Sequence, residues 1–133
     1  MRANGGSAAT ATTGAAEFRR WFAVLLGEFR RNAVLVPLDA GGGMWSAELG
    51  GIRWIYAFSD EAELARFAAA RGARPGSPGS DWEFISVLGA RLLDVVIPQV
   101  GVPTGVALDV AGEQPVMFPP VTGIVPDAVA VDA

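Results

Sequence analysis

Residues 44–59 read MWSAELGGIRWIYAFS and contain the clearest structural signal in this chain of 133 residues. The pair Gly50-Gly51 can adopt the positive φ angles of a two-residue type I′ turn, and strand-forming residues flank it on both sides. The segment therefore predicts an antiparallel β-hairpin whose register is set by the turn. Its predicted cross-strand pairs are Leu49 with Ile52, Glu48 with Arg53, Ala47 with Trp54, Ser46 with Ile55 and Trp45 with Tyr56.

Alternation along this hairpin places its aromatic side chains, together with Phe58, on one face. Such a row is typical of a core or of a surface on which a helix packs. In a second interpretation the row lines a pocket for a small molecule, although Arg53, the cation that would bind an anion there, points to the opposite face. The candidate pocket residues are Trp45, Trp54, Tyr56 and Asp109.

An amphipathic helix is predicted for residues 15–31, because apolar side chains from Phe18 to Phe29 recur there at spacings of three and four. Four arginines gather on the opposite side of this helix. They either form a solvated surface or bind an acidic partner or an anionic membrane surface. These candidate partner-binding residues are Arg19, Arg20, Arg30 and Arg31.

The two ends of the chain are predicted to lie outside the folded domain. Residues 1–14 carry one charge and, after the initiator Met, no large apolar side chain, so we expect a disordered tail. They lack the apolar stretch of a secretory signal, so we expect a cytoplasmic protein. The domain itself is expected to span 15–126, followed by a C-terminal tail over 127–133.

The remaining segments predict a single compact domain of the α/β (α+β) class. Asp60 and Glu63 form a capping box for a helix that ends at Gly72, and residues 73–81 form a loop or lid. Residues 81–97 fit one helix or a strand followed by a helix; we choose the second, with Gly89 at the switch.

A last hairpin follows, whose first strand contains Asp109 with its side chain pointing to solvent. The predicted sheet is mixed and largely antiparallel, with about six strands and three helices in the order α-β-β-β-α-β-α-β-β.

The composition excludes much of enzyme chemistry. There is no Cys and no His, and all ten basic residues are Arg. The chain therefore lacks a thiolate nucleophile, an imidazole base and a lysine amine, and we expect no cofactor and no metal site. An enzyme built from it would depend on carboxylates, as in some hydrolases. The candidate acids are Asp39, Asp60, Asp81 and Asp109.

The charge distribution bears on the class of partner. The net charge is −4 and the pI is about 4.7, so nucleic acid is not an expected partner. Residues 1–80 carry a net charge of +2 and residues 81–133 carry −6, and such opposed surfaces favour a protein partner or self-association. No apolar run reaches the ~18 residues of a membrane helix, so we expect a soluble protein without a transmembrane segment.

Three segments of the sequence together resemble a known protein family. They are WIYAFSDEAELARFAAARG, SVLGARLLDVVIP and PTGVALDVAGEQPVMFPP, and they resemble the SseB N-terminal domain family of high-GC Gram-positive bacteria. The resemblance covers residues 18–126. It implies an α/β domain with no established reaction, cofactor or catalytic residue.

These observations predict a non-enzymatic binding or regulatory module that acts through protein–protein contacts. Its partner surface is expected at the arginine side of the first helix or in a cleft beside the last hairpin. Two alternatives stay open. One is a carboxylate-dependent hydrolase, and the other is a domain that senses a small-molecule ligand such as an amino acid.

Overall fold

The structure is a computed structural model that describes the backbone of residues 2–72 and 82–133 and the side chains of residues 14–72 and 82–133. Within these residues, three helices and six strands follow the predicted order, which confirms the small α+β domain. The elements are α1 (Arg2–Arg31), β1 (Ala33–Pro37), β2 (Ser46–Leu49), β3 (Ile52–Ala57), α2 (Glu61–Ala70), β4 (Phe84–Leu88), α3 (Gly89–Arg91), β5 (Thr104–Leu108) and β6 (Val116–Phe118).

The strands form two sheets that are joined by backbone hydrogen bonds. Four strands lie in the order β2-β3-β5-β6, with β3 and β5 parallel and the other neighbours antiparallel, while β1 and β4 form an antiparallel pair. Leu35 of β1 and Phe58, which follows β3, exchange two backbone hydrogen bonds of 2.8 Å. The predicted mixed, largely antiparallel pairing is thus divided between two sheets.

The hairpin of β2 and β3 has the predicted register. Gly50 and Gly51 have φ angles of 63° and 82°, as a type I′ turn requires. The backbone N–H of Tyr56 donates a hydrogen bond of 3.0 Å to the carbonyl oxygen of Trp45, which extends the pairing beyond β2. The ladder pairs are Leu49 with Ile52, Glu48 with Arg53, Ala47 with Trp54 and Ser46 with Ile55.

Apolar side chains cover both faces of the four-stranded sheet. Successive residues of β3 point to opposite faces, so Ile55 enters one buried cluster and Tyr56 packs against another. The first cluster contains residues of α1 and of the helical segment after β4, and the second contains Leu64 and Phe67 of α2. Strand β5 lies in the middle of the sheet and is buried over residues 104–107.

Residues 84–99 form a strand followed by helical turns, which confirms the choice made for 81–97. Helix α3 continues as a π-helical turn over Leu92–Val96 and a 3₁₀ turn over Ile97–Gln99. Gly89 begins α3 and donates its backbone N–H to the carbonyl oxygen of Asn32 at 2.9 Å. A Cβ atom on Gly89 would overlap the carbonyl oxygen of Phe29, so glycine permits the close approach of α3 to α1. The predicted loop or lid at 73–81 lies outside the described residues.

Helix α1 begins at Arg2, in the segment for which the sequence predicts a tail, and has 30 residues. A helix of this length extends about 45 Å. Among its described side chains Phe29 is buried, whereas Phe18 and Trp21 are 59% and 55% exposed. The helix therefore packs on the domain through its C-terminal part.

The predicted C-terminal tail at 127–133 lies against the domain. Its residues Asp127–Val129 form a 3₁₀ turn, and Val129 and Ala130 pack on the first cluster. The backbone N–H of Val131 donates to the carbonyl oxygen of Pro120 at 2.8 Å. Burial of the apolar side chains of this segment offsets the conformational entropy that the segment loses when it becomes ordered.

We predict that Gly89→Ala lowers the free energy of unfolding by at least about 3 kcal/mol, because the added methyl group overlaps backbone atoms that cannot move aside. The matched control is Gly14→Ala, since nothing lies within 4 Å of a Cβ at that position. Urea unfolding checks both variants. Equal stability of Gly89→Ala and the control would contradict the close approach.

We also predict that the contact between Asp132 and Thr122 is lost in acid. The backbone N–H of Thr122 donates a 2.8 Å hydrogen bond to the Asp132 carboxylate, and this bond holds the pKa of Asp132 below its ordinary value. A lowered pKa means that the contact is complete above the pKa of the unfolded chain and is lost as the pH falls through the lowered folded value. The Thr122 amide resonance in NMR spectra should follow this titration. In Asp132→Ala that transition should be absent.

Candidate functional site

A groove of about 610 Å³ opens between the C-terminal part of α1, strand β1 and the β5–β6 hairpin. Its floor is apolar, because Phe29, Val34 and Phe118 line it and all three are buried. Leu25 extends the apolar lining along α1. We call this feature the acidic groove, for the rim described next.

The rim of the acidic groove is polar and negatively charged. Four carboxylate side chains and one guanidinium group line the groove, so its electrostatic potential favours cations. Among these, Glu28 and Glu113 are exposed and free to reorient. The charged lining residues are Glu28, Glu63, Asp109, Glu113 and Arg66, and the uncharged polar ones are Asn32, Ser59 and Gln114.

Asp109 follows β5 and does not lie within a strand, so its predicted mid-strand position pointing to solvent is wrong. Strand β5 ends at Leu108, and Asp109 has a φ angle of 53°, the only positive value at a described residue other than glycine. Its two carboxylate oxygens accept hydrogen bonds of 2.8 Å from the backbone N–H and the hydroxyl of Ser59. Asp and Asn tolerate this backbone region better than most other residues with a side chain. Asp109 therefore ties the end of β5 to the segment before α2.

Glu63 connects α2 to the wall of the acidic groove. Its backbone N–H donates to the Asp60 carboxylate at 2.8 Å, which confirms Asp60 as the helix cap. One oxygen of its own carboxylate contacts Arg66, while Oε1 is buried without a hydrogen-bond partner among the described residues. A side chain at Gly112 would overlap this carboxylate. The backbone of the β5–β6 loop is thus packed directly against Glu63.

The aromatic residues of the hairpin do not line the acidic groove. Trp45 stacks on Trp82 with ring centroids 4.8 Å apart, and Tyr56 meets the ring of Phe67 edge-on at 5.1 Å. The guanidinium carbon of Arg71, at the end of α2, lies 4.8 Å from the Phe67 ring centroid and also covers the rings of Trp45 and Tyr56. The row therefore serves as the surface on which α2 packs.

Trp54 belongs to the same face but packs elsewhere. Its ring covers Gly105, its neighbour on β5, where an added Cβ would lie 2.7 Å from a ring carbon. Of the four candidate pocket residues, the structure thus places only Asp109 in the groove. Trp45, Trp54 and Tyr56 lie on the α2 face of the sheet.

The four arginines of α1 lie within an arc of about 120° of the helix. Arg30 forms an ion pair with Asp94 in the helical segment after β4, with a second nitrogen–oxygen contact of 3.3 Å. With a rotation of about 100° per residue, Arg19 and Arg30 lie about 20° apart on the helix surface. Arg20 and Arg31 form a second pair about 100° further round the helix. Arg19, Arg20 and Arg31 are exposed. Of the four guanidinium groups, Arg30 is thus paired with a carboxylate of the domain.

The other candidate acids have structural partners or lie outside the described residues. Asp39 accepts backbone hydrogen bonds of 2.9 and 3.0 Å from Gly41 and Gly43, as an aspartate in a turn does. Asp60 caps α2, and Asp81 lies outside the described part of the chain. In that part, no three acidic side chains are grouped closely enough to hold a metal ion.

Sequence reasoning missed Glu28, Glu113 and Gln114 as groove residues. Glu28 shares a helical stripe with Leu25 and Asn32, which a spacing of three and four residues indicates. That spacing could have placed these residues on one wall. The sequence predicted a cleft beside the last hairpin but did not indicate that α1 forms its other wall, because the two elements are brought together only in the folded chain.

Comparisons with protein-family models, with curated proteins and with solved structures find no match to this chain. Within the described residues, no helix has the length and hydrophobicity needed to cross a membrane. The groove and the exposed surfaces are therefore the features of this protein that bear on its function.

We predict that Asp109→Ala lowers the free energy of unfolding by about 2 kcal/mol, because it removes two hydrogen bonds and leaves alanine in the left-handed region. Asp109→Asn retains an acceptor and a residue suited to that backbone, so its loss should be less than half as large. Chemical unfolding of both variants measures the difference. Equal losses would show that the Ser59 bonds contribute little.

Proposed function

We propose that this protein is a non-enzymatic binding module whose acidic groove binds a cationic, partly apolar segment of a partner protein. The groove itself carries this proposal. Its volume of about 610 Å³ accommodates side chains of a peptide, its floor is apolar, and its rim is negatively charged. A segment that places an apolar side chain on the floor can pair its arginines or lysines with the rim.

The floor and the rim contribute differently to binding. An apolar side chain of the bound segment packs on the floor, where the half-buried Leu25, Leu108 and Val116 line the groove. The exposed carboxylates at Glu28 and Glu113 steer a cationic segment toward the groove and select against acidic ones. The proposal therefore requires both an apolar and a cationic residue in the bound segment.

Two observations support binding over catalysis. The Asp109 carboxylate is engaged by Ser59 through both oxygens, which suits a structural role better than that of a general base. The chain also offers no imidazole, thiol or lysine amine to act with a carboxylate. Membership of the SseB N-terminal domain family belongs to the same proposal, and its support is the three sequence phrases quoted above.

A peptide display experiment tests the proposal. We expect panning of a random-peptide library on the protein to enrich sequences that combine Arg or Lys with a large apolar residue. Fluorescence anisotropy with a selected peptide then measures the affinity. Glu113→Arg should weaken binding about tenfold, because it reverses a charge on the rim.

The matched control is Glu83→Arg, which makes the same charge change at an exposed glutamate outside the groove lining. Its affinity for the peptide should stay within about twofold of that of the unaltered protein. The proposal fails if no cationic sequence is enriched, or if the two variants weaken binding equally.

A further inference from the structure

The outer face of α1 is exposed and lies opposite the side that packs on the domain. We define this face by Glu17, Arg20, Val24, Glu28 and Arg31. All five are exposed, and Val24 is 58% exposed despite its apolar side chain. At about 100° per residue they fall within an arc of about 80°, turned by about 170° from the buried side that contains Phe29. Trp21 lies at the edge of this face and is 55% exposed.

The sequence of this face is symmetric about Val24, with charges of opposite sign at matching positions. Glu17 and Arg31 lie seven residues before and after Val24, and Arg20 and Glu28 lie four residues before and after it. Reading along the face, the order is negative, positive, apolar, negative, positive. Each charge before Val24 is therefore matched by a charge of opposite sign at the same distance after Val24.

We propose that a second copy of this chain packs antiparallel on the outer face of α1, around a two-fold axis at Val24. In that arrangement Glu17 of one copy meets Arg31 of the other, and Arg20 meets Glu28. Each pair occurs twice because the interface is isologous. A parallel arrangement in register would instead place like charges against each other, so the charge pattern selects the antiparallel dimer.

Apolar contacts at the centre complete the interface. The two Val24 side chains meet on the axis, and the exposed Trp21 of each copy flanks them and is partly covered by the opposite helix. The face is about 21 Å long over residues 17–31, so the dimer belongs to the small, reversible class of interfaces. This inference is independent of the acidic groove, although Glu28 borders both surfaces.

Sedimentation equilibrium on the full chain tests the proposal. We expect a reversible monomer–dimer equilibrium at protein concentrations below about 1 mM. Glu17→Arg and Arg31→Glu should each weaken the dimer at least about tenfold, because each change places two pairs of like charges across the interface. An equimolar mixture of these two variants should dimerise as the unaltered protein does, since every pair in the mixed dimer is again of opposite charge. The double variant with both changes should also dimerise as the unaltered protein does, because its two pairs are again of opposite charge.

Arg19→Glu is the matched control, because Arg19 is exposed but lies on another side of α1. It should leave the dimer unchanged, and circular dichroism should show that all variants keep their helix content. The proposal is overturned if the unaltered protein is monomeric throughout this range. It is also overturned if both single variants dimerise normally, or if mixing them restores nothing.

Discussion

The contact between Gly89 and the last turns of α1 holds together the parts of this fold. Gly89 joins β4 to α3, and its backbone N–H donates to Asn32 while its Cα lies against Phe29. Because no Cβ is present, α3 and α1 can pack at backbone distance, which is closer than side chains normally allow. This approach positions the C-terminal part of α1 over the sheet, and Phe29 then reaches Phe118 with ring centroids 4.8 Å apart. The first cluster and the floor of the acidic groove both depend on that placement.

A second constraint shapes the opposite wall of the groove. Asp109 turns the chain out of β5 in a left-handed conformation and is held by Ser59, so the β5–β6 loop folds back toward α2 and Glu63. The carboxylate of Asp109 is thereby bonded to Ser59, and that of Glu63 packs against the backbone of the β5–β6 loop. Glu28 and Glu113 stay exposed on the rim, where a ligand can reach them. Glu63 and Asp109 thus form part of the wall of the groove, whereas Glu28 and Glu113 are available to bind a cation.

Helix α1 presents three different surfaces along one length. Phe22, Leu26 and Phe29 pack on the domain, Leu25 and Glu28 line the groove, and the outer face carries a self-complementary charge pattern. One helix can carry three surfaces because successive side chains project about 100° apart around its axis, so neighbouring residues make different contacts. The groove and the outer face are thus neighbouring surfaces of one helix, and Glu28 borders both.

The sequence by itself determined the features that depend on near neighbours. Gly50-Gly51 predicted the hairpin and its register, and Asp60 and Gly72 predicted the ends of α2. The periodicity of Phe18 to Phe29 predicted α1 from residue 15 onward but not its start at Arg2. The groove, the packing of Trp45 and Tyr56 on α2, and the role of Asp109 were decided only by tertiary structure. Each of them joins residues that are distant along the chain, as Ser59 and Asp109 are, and local propensity carries no information about such contacts. Alternation indicated which residues share a face, but only the assembled layers determined what covers that face.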